Sequence, residues 1–449
     1  MTTDTSLSPG APPPANNAGS ATALIASHAV CKTYATGESA GRLVLDHIDF
    51  ALKEGEIVAI LGKSGSGKST FLRVLAGLTQ ASEGYATYRG NRVDSPAQGI
   101  AMVFQTFALF PWLTVLGNVE LGLEAQGIAR DERQKRAVAA IDLIGLDGFE
   151  SAYPKELSGG MRQRVGFARA LVVNPDVLLL DEPFSALDVL TAETLRGDMM
   201  DLWLAKRIPT KGMIIVSHNI EEAVEVSDRI IIFGSDPGCI RNEIPISLPR
   251  PRSQSDPAFR RIVDEVYTLM TTVQGAEAAR RRAEPIGVGY RLPDASIQQL
   301  IGLLEAVSNP PYDGRADLPK LAETEHLSTE ELVTLLEALQ LLGFGQVGGG
   351  DIEMLPAGRE FGAADLQRRK QIFADHMRRN IPLAAHIRRV LDERPGHAAP
   401  ESRFLGELED YLSEEDAAKV FETVINWGRY AELFAYDYDS GVVSLENPS

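Results

Sequence analysis

One eight-residue stretch constrains this chain more than any other. Residues 62–69 read Gly-Lys-Ser-Gly-Ser-Gly-Lys-Ser and satisfy the pattern G-x-x-x-x-G-K-[ST]. The stretch lies between a predicted buried strand, residues 56–61, and a predicted helix, residues 69–78. Glycines let the backbone curl so that its N–H groups converge on a phosphate beside the positive end of the helix. The sequence therefore predicts a binding site for a nucleoside triphosphate.

The individual positions of this phosphate loop have separate predicted roles. Lys68 supplies a positive charge to the β- and γ-phosphates. Ser69 offers a hydroxyl ligand to Mg²⁺, a cation that prefers oxygen. The other loop residues predicted to bind the triphosphate are Gly62, Ser64, Gly65, Gly67 and Thr70. A nucleoside triphosphate and Mg²⁺ are thus the expected ligands.

A pair of acidic residues follows a second buried strand, residues 177–180. An acid at the carboxyl end of a parallel strand faces the crevice in which such sheets bind ligands. Asp181 is predicted to hold Mg²⁺, directly or through water. Glu182 is predicted to orient or deprotonate the attacking water. This pair extends the prediction from nucleotide binding to hydrolysis.

The surrounding pattern predicts an α/β core over residues 25–250. Further short β-branched runs at residues 213–216 and 229–233 alternate with helical segments, which is typical of a parallel sheet covered on both faces. Residues 1–22, rich in Pro, Ala, Ser, Asn and Gly, are predicted to form a disordered tail. Residues 251–284 are predicted to form a linker and a helix.

Residues 285–449 predict a second, mostly helical domain. Three helical segments followed by a hairpin at residues 344–355 are typical of a winged helix, and a similar order near residues 413–445 makes an internal duplication one interpretation. These residues carry a net charge of −13 out of −18 for the whole chain, and the predicted helix 328–342 contains no basic residue. A recognition helix needs Lys and Arg, so we expect a regulatory or protein-interaction role and no nucleic-acid partner.

Two further features limit the class of protein. Residues 95–119 carry no charge and are long enough to cross a bilayer, but Pro111 and several polar side chains favour a buried or interface segment. Cys31 and Cys239 are far apart and outside any metal-ligand spacing. We therefore expect neither a disulfide scaffold nor a structural zinc site.

A second anion-binding motif lies between the phosphate loop and the acidic pair. Ser158, Gly159 and Gly160 open a helical run after Leu157, although one triphosphate does not need two such sites. Here the sequence resembles the ATP-binding-cassette (ABC) ATPases, whose signature is LSGGQ. Met161 replaces the final residue of that signature. The resemblance implies an α/β ABC-type P-loop ATPase cassette, followed by a winged-helix-like domain, with ATP held between the phosphate loop of one subunit and the signature of another.

The same resemblance assigns further residues. Tyr34 is expected to stack on adenine, Gln105 to sense Mg²⁺ and water, and His218 to contact the γ-phosphate. Asp188 belongs to the segment that links the two sites of the dimer. Asn219 replaces a common aspartate without removing a catalytic group. The expected catalytic set is Glu182, His218, Gln105 and Lys68, and the expected metal set is Ser69, Gln105 and Asp181.

Residues 104–115 resemble the nitrate, sulfonate and taurine importers among the ABC transporters. The resemblance implies an inner-membrane importer of a small anion or organic solute, with this chain on the cytoplasmic face. Its expected partners are a second ATPase subunit (a homodimer is favoured), membrane permease subunits and, indirectly, a periplasmic solute-binding protein. The apolar residues expected to dock on the permease are Phe107, Leu109, Phe110 and Trp112. The alternative is a soluble ABC ATPase that acts as a nucleotide-gated regulator.

Overall fold

A computed structural model describes residues 23–36, 39–235, 237–283, 290, 292–348, 350–412 and 414–445. The predicted disordered tail, residues 1–22, lies outside the described residues. In the amino-terminal part the strands are β1 (Ile25–Thr36), β2 (Ser39–Leu52), β3 (Glu56–Leu61), β4 (Glu83–Tyr88), β5 (Asn91–Arg92), β6 (Ile100–Val103), β7 (Val177–Asp181), β8 (Gly212–Ser217), β9 (Arg229–Gly234) and β10 (Cys239–Pro245). The helices there are α1 (Lys68–Leu75), α2 (Val115–Ala125), α3 (Arg130–Leu143), α4 (Gly159–Leu171), α5 (Val189–Leu204), α6 (Ile220–Val226) and α7 (Pro257–Ala283).

A six-stranded sheet in the order β10-β9-β3-β8-β7-β6 forms the centre of this part. Strands β9, β3, β8, β7 and β6 pair in parallel, as the buried strand pattern predicted. Every residue of β7 and β8 is buried, because other elements cover both faces of the sheet. The edge strand β10 runs antiparallel to β9, since only a short turn separates the two.

A second, antiparallel sheet has the order β2-β1-β4-β5. Its apolar face packs on α1 and one side of the parallel sheet, whereas α2, α3, α4 and α5 cover the other side. Helix α7 packs against α6 and β9 through an apolar cluster that includes Phe259, Val266 and Tyr267. The uncharged residues 95–119 form β6, a loop and the start of α2. Within the described part of the chain, every helix is too short or too polar to cross a bilayer.

The carboxyl-terminal part contains the helices α8 (Ile297–Ser308), α9 (Leu318–Thr324), α10 (Thr329–Leu342), α11 (Pro356–Ala363), α12 (Leu366–Asn380), α13 (Pro382–Glu393), α14 (Glu401–Glu409) and α15 (Glu414–Tyr430). Its strands are β11 (Arg315–Asp317), β12 (Gly345–Gly348), β13 (Asp351–Met354), β14 (Ala398–Pro400), β15 (Ala435–Asp437) and β16 (Val442–Ser444). One apolar core extends from Leu292 to Val443. The region is therefore mostly helical, as predicted.

The carboxyl-terminal part contains two units with the same order of elements. The first runs α8, β11, α9, α10, β12, β13, and the second runs α13, β14, α14, α15, β15, β16. In each unit the early strand pairs with the last strand, so the sheet orders are β11-β13-β12 and β14-β16-β15. Helices α11 and α12 connect the units. The predicted hairpins are both present, and the topological match that suggested a duplication extends to a third strand in each unit.

Candidate nucleotide site

The phosphate loop connects β3 to α1 and requires glycine at defined positions. Gly65 and Gly67 have φ angles of 73° and 96°, in the left-handed region that favours glycine. A Cβ on Gly67 would lie 2.7 Å from Leu45 Cδ2, and one on Gly62 would lie 2.7 Å from the Phe233 carbonyl oxygen. The loop is therefore a close-packed backbone cradle at the amino end of α1.

Lys68, the first residue of α1, directs its side chain back onto the phosphate loop. Its side chain is buried, and Nζ donates hydrogen bonds of 2.7 Å to the carbonyl oxygens of Gly62 and Lys63. A buried ammonium group gains most from a strongly anionic ligand. The position and charge of Lys68 thus fit the β- and γ-phosphates of a triphosphate.

Ser69 and Asp181 meet where β3 and β7 lead into the site. Ser69 Oγ donates a hydrogen bond of 2.8 Å to Asp181 Oδ1. Burial raises the pKa of Asp181, because a desolvated carboxylate is costly without a compensating cation. A hydroxyl and a carboxylate side by side are the oxygen ligands that Mg²⁺ prefers. These two residues fit the predicted metal set.

Glu182 follows β7 directly and has a φ of 47°. Its carboxylate oxygen Oε2 accepts a hydrogen bond of 2.9 Å from Gln105 Nε2 and lies 3.5 Å from His218 Nδ1. The hydrogen bond with His218 holds the pKa of Glu182 below its ordinary value. Glu182 is therefore ionised at neutral pH, the state that a proton acceptor requires.

Most of the predicted site residues line one cavity of about 520 Å³. Its lining comprises Val44, Ser64, Gly65, Gly67, Lys68, Ser69, Thr70, Gln105, Glu182, Ser185, Ala186 and His218. Asp181 joins this group through its bond with Ser69. The structure thus brings together residues from five separate segments of the sequence.

The remaining predicted ATP residues lie outside the lining of that cavity. Tyr34 is 40% exposed, and the Lys32 ammonium lies 4.9 Å from its ring centroid. Ser158 is exposed and caps α4, with its Oγ accepting a hydrogen bond of 3.3 Å from the Met161 amide. Asp188 is likewise exposed and caps α5. The signature and the phosphate loop of one chain therefore face different spaces.

Sequence reasoning missed the residue that shapes the loop after Gln105. Asn118 is fully buried, and its amide nitrogen donates to the carbonyl oxygens of Phe110, Leu113 and Thr114 at 3.0–3.1 Å. Its Oδ1 accepts from the Phe110 amide at 2.8 Å. Four hydrogen bonds from one side chain fix the loop that presents the ring of Trp112. The signal available in the sequence was an asparagine within a long, uncharged and largely apolar run.

Sequence reasoning also missed the connection between this loop and α4. Arg169 donates hydrogen bonds to the carbonyl oxygens of Phe107, at 3.0 Å, and of Ala108. Arg162, two turns earlier on α4, places its guanidinium 5.2 Å from the centre of the Phe107 ring. The spacing of seven residues puts both arginines on one face of α4. The signature helix and the Gln105 loop are therefore mechanically connected.

A strand–loop–helix cradle for phosphates, with an acidic pair at the end of the neighbouring strand, defines a P-loop nucleoside triphosphatase. Comparison with known proteins refines this class. The family model described as "ABC transporter" matches residues 45–185. The model described as "C-terminal AAA-associated domain" matches residues 319–437.

Characterised relatives are similar to the chain over about half of its length. The nitrate import ATP-binding protein NrtD of Synechocystis is 41% identical over 243 residues, which cover 52% of this chain and 90% of the relative. The aliphatic sulfonates import ATP-binding protein SsuB of Bacillus cereus is 43% identical over 223 residues, or 50% and 86% of the two chains. A solved dimer of the cassette MJ0796 bound to ADP and Pi is 34% identical, covering 50% of this chain and all of that one, with a TM-score of 0.45.

The chain belongs to the family of ABC importer ATP-binding subunits that includes the nitrate and sulfonate import proteins. It is accordingly an ATPase.

Proposed function

We propose that this chain drives uptake of a small anion or organic solute of the nitrate, sulfonate or taurine type. It works as the ATP-hydrolysing subunit beneath a membrane permease, at the cytoplasmic face of the cell membrane, and a periplasmic binding protein delivers the solute. The observation that carries this proposal is that the chain has two anion-binding motifs facing different spaces. Two copies can combine them into complete sites.

In this proposal each side chain of the cavity has a defined task. Lys68 neutralises the β- and γ-phosphates, while Ser69 and Asp181 would hold Mg²⁺, which offsets phosphate charge when bound. Glu182 accepts a hydrogen bond or proton from the attacking water. Gln105 and His218 orient Glu182, because both contact its Oε2.

The surface beside the signature supports a second ATPase subunit as partner. Ser158 and Asp188 are exposed, although each starts a helix whose amide groups suit an anion. Val189 and Leu190 follow Asp188 and are 72% and 74% exposed. Adjacent exposed apolar side chains indicate an interaction surface. A homodimer would cover them and place the signature of one copy over the phosphates bound by the other.

The loop after Gln105 supports a permease as the second partner. Phe110 and Trp112 are 37% and 70% exposed, with ring centroids 5.4 Å apart. Asn118 fixes this loop, and Arg169 connects it to the signature helix. Movement of a permease segment that binds Trp112 would thereby be transmitted through Arg169 and α4 to the signature. We assign the patch of Phe107, Leu109, Phe110 and Trp112 to permease docking.

Replacing Trp112 with Ala is expected to weaken permease recovery by about tenfold or more, because exposed aromatic anchors dominate interface energies. The measurement is co-purification of membrane subunits with the tagged chain from detergent-solubilised membranes. Tyr411→Ala is the matched control, since Tyr411 is 72% exposed but lies in the carboxyl-terminal part. Equal recovery with Trp112→Ala would refute the docking patch. Recovery of ribosomes without a permease would refute the importer.

We propose further that the carboxyl-terminal part, residues 285–449, regulates the ATPase. Glu337 of α10 forms an ion pair with Lys63 of the phosphate loop. Asp416 of α15 pairs with Arg42 of β2 at 3.4 Å. Tyr267 of α7 and Thr329 of α10 share a buried hydrogen bond of 3.0 Å between their hydroxyl groups. The carboxyl-terminal part therefore contacts the cassette directly at its nucleotide site.

A cavity between the cassette and the carboxyl-terminal part reaches the catalytic residues. A cavity of about 1020 Å³ is lined by Glu182 and His218 on one side and by Asp317, Lys320 and Thr329 on the other. Glu182 and His218 also line the nucleotide cavity. The docked, acidic carboxyl-terminal part lies beside Glu182, His218 and Lys63, and we infer that it competes with a second cassette for the space next to them. Docking and ATP binding should therefore oppose each other, with the same coupling in both directions.

Replacing Glu337 with Gln is expected to tighten ATP binding by about two- to tenfold, since the ion pair that holds the docked state is lost. The measurement is the equilibrium Kd for ATP in the Glu182→Gln background, which prevents turnover. Glu353→Gln removes one negative charge from the same part of the chain at a 62% exposed side chain and is the control. An unchanged Kd in the Glu337 variant would exclude this contact as a regulator.

A further inference from the structure

A cluster of metal-ligating side chains lies outside the nucleotide site. Cys31 of β1, His47 of β2 and Glu83 of β4 each offer one ligand atom, and these atoms all lie within 4.8 Å of one another. The three strands are neighbours in the order β2-β1-β4. The proposed ATPase mechanism uses none of these residues. The spacing of cysteines along the sequence predicted no zinc site, because strand pairing brings these three residues together only in the folded chain.

One distance within the cluster matches a tetrahedral zinc site. Cys31 Sγ lies 3.5 Å from His47 Nδ1. Zinc bonds of about 2.3 Å to sulfur and about 2.05 Å to nitrogen, at a tetrahedral angle, place these two atoms about 3.5 Å apart. Asp46 Oδ1 lies 2.5 Å from the same Nδ1 and is its hydrogen-bond partner. Two ligands of a tetrahedral zinc ion lie about 3.3 Å apart, so the fourth position would fall to a water molecule. The thiol is buried, while the other ligands face solvent and leave a route of entry.

The backbone is distorted where the cluster forms. The pairing of β1 with β2 is irregular between Val30 and Lys32, and the pairing of β1 with β4 is irregular between His28 and Cys31. His47 has a φ of 45°, in the left-handed region that is costly for a residue with a side chain. Its amide also donates to Cys31 Sγ at 3.2 Å. Bulges and strained residues redirect side chains, and they concentrate at functional sites.

We propose that Cys31, His47 and Glu83 bind one zinc ion, with a water molecule as the fourth ligand. On binding, the Cys31 thiol would release its proton to solvent as the Zn–S bond forms. His47 would lose to solvent the Nδ1 proton that it shares with Asp46, so that the Nδ1 lone pair is free for the metal. One sulfur, one nitrogen and two oxygens suit a borderline cation such as Zn²⁺ better than Mg²⁺ or Ca²⁺. The bound ion would cross-link three strands of the antiparallel sheet.

The test measures zinc binding by the full-length, tag-free, reduced protein without nucleotide. Competition of Zn²⁺ with a chromophoric chelator is expected to give one tight site per chain. Cys31→Ser and Glu83→Gln should each weaken it by about tenfold or more. His47→Asn should do the same while keeping the backbone, because asparagine tolerates a positive φ. The controls are Cys239→Ser, which changes the other cysteine, and His28→Asn on β1.

A second measurement separates this site from weak surface binding. Co²⁺ in place of Zn²⁺ should produce a sulfur-to-cobalt charge-transfer band that disappears in Cys31→Ser and persists in Cys239→Ser. The zinc-loaded protein should also unfold at a higher temperature, and Cys31→Ser should lose that increase. A charge-transfer band that persists in Cys31→Ser, or zinc affinity equal in all variants, would overturn the proposal. Neither result depends on ATP turnover, so the proposed transport function stands or fails separately.

Discussion

Glu182→Gln is expected to slow ATP turnover by about 10²- to 10⁴-fold while leaving ATP affinity nearly unchanged. Glutamine has the shape of glutamate and can occupy the same position after β7. It can also still contact Gln105 and His218, but it cannot accept a proton from water. Lys68 and Ser69, which are proposed to bind the phosphates and Mg²⁺, are not altered. The Glu182→Gln variant should therefore lose ATP turnover but keep ATP binding.

The Glu182→Gln experiment compares steady-state phosphate release with the equilibrium Kd for ATP. Glu193→Gln is the matched control, because Glu193 is an exposed acid on α5 that lines the neighbouring cavity and not the nucleotide cavity. We also expect the Glu182 variant to accumulate as an ATP-bound dimer, since hydrolysis would release the two subunits. Turnover within about twofold of the unmodified protein would remove Glu182 from the proposed mechanism.

The second large effect is expected when two inactive variants are combined. Lys68→Ala should abolish phosphate binding in its own subunit. Ser158→Asp should keep the cap of α4, because aspartate is a good N-cap, but should place a negative charge against the partner's ATP. Each variant alone is expected to be nearly inactive. A heterodimer of the two contains one intact composite site, so a co-expressed mixture should recover up to about a quarter of the normal rate.

The recovered rate distinguishes shared sites from sites built within one chain. Ser158→Asn is the control for Ser158→Asp, since asparagine also caps a helix but adds no charge. It should retain much of the activity. A mixture of Lys68→Ala and Ser158→Asp that shows only the sum of their separate rates would refute the two-subunit arrangement. The phosphate loop and the signature would then act on different molecules.

The sequence predicted the regular parts of the molecule well, because they follow from local patterns. The buried runs at residues 56–61, 177–180 and 213–216 became β3, β7 and β8, and the predicted hairpin at residues 344–355 is present. The antiparallel course of β10 and the third strands β11 and β14 were not predicted. Strands β11 and β14 have three residues each and pair with distant strands, which a local pattern does not report. Strand β10 pairs with its neighbour along the chain, but only one of its seven residues is buried, so no buried apolar run indicated it.

The nucleotide site likewise contains residues that the sequence predicted and residues whose roles it did not. The phosphate loop needs only consecutive residues, so its residues could be named from the sequence. Asn118 and Arg169 act through backbone carbonyls that lie close in space, and their roles became visible only with the fold. The structure also distinguishes exposed from buried side chains within one apolar segment. Within the apolar segment after Gln105, Trp112 faces solvent whereas Val115 is fully buried.

By itself, the sequence determined the chemistry that this protein performs: a glycine-rich cradle, a lysine, a serine and two acids in a fixed order bind and hydrolyse a nucleotide wherever a strand and a helix present them. Only the tertiary structure decided which residues that are distant in the sequence come into contact. It joined Glu337 to Lys63 and placed Cys31 beside His47 and Glu83. Such contacts depend on which surfaces meet after the chain has folded, and the order of residues along the chain does not encode those distances directly.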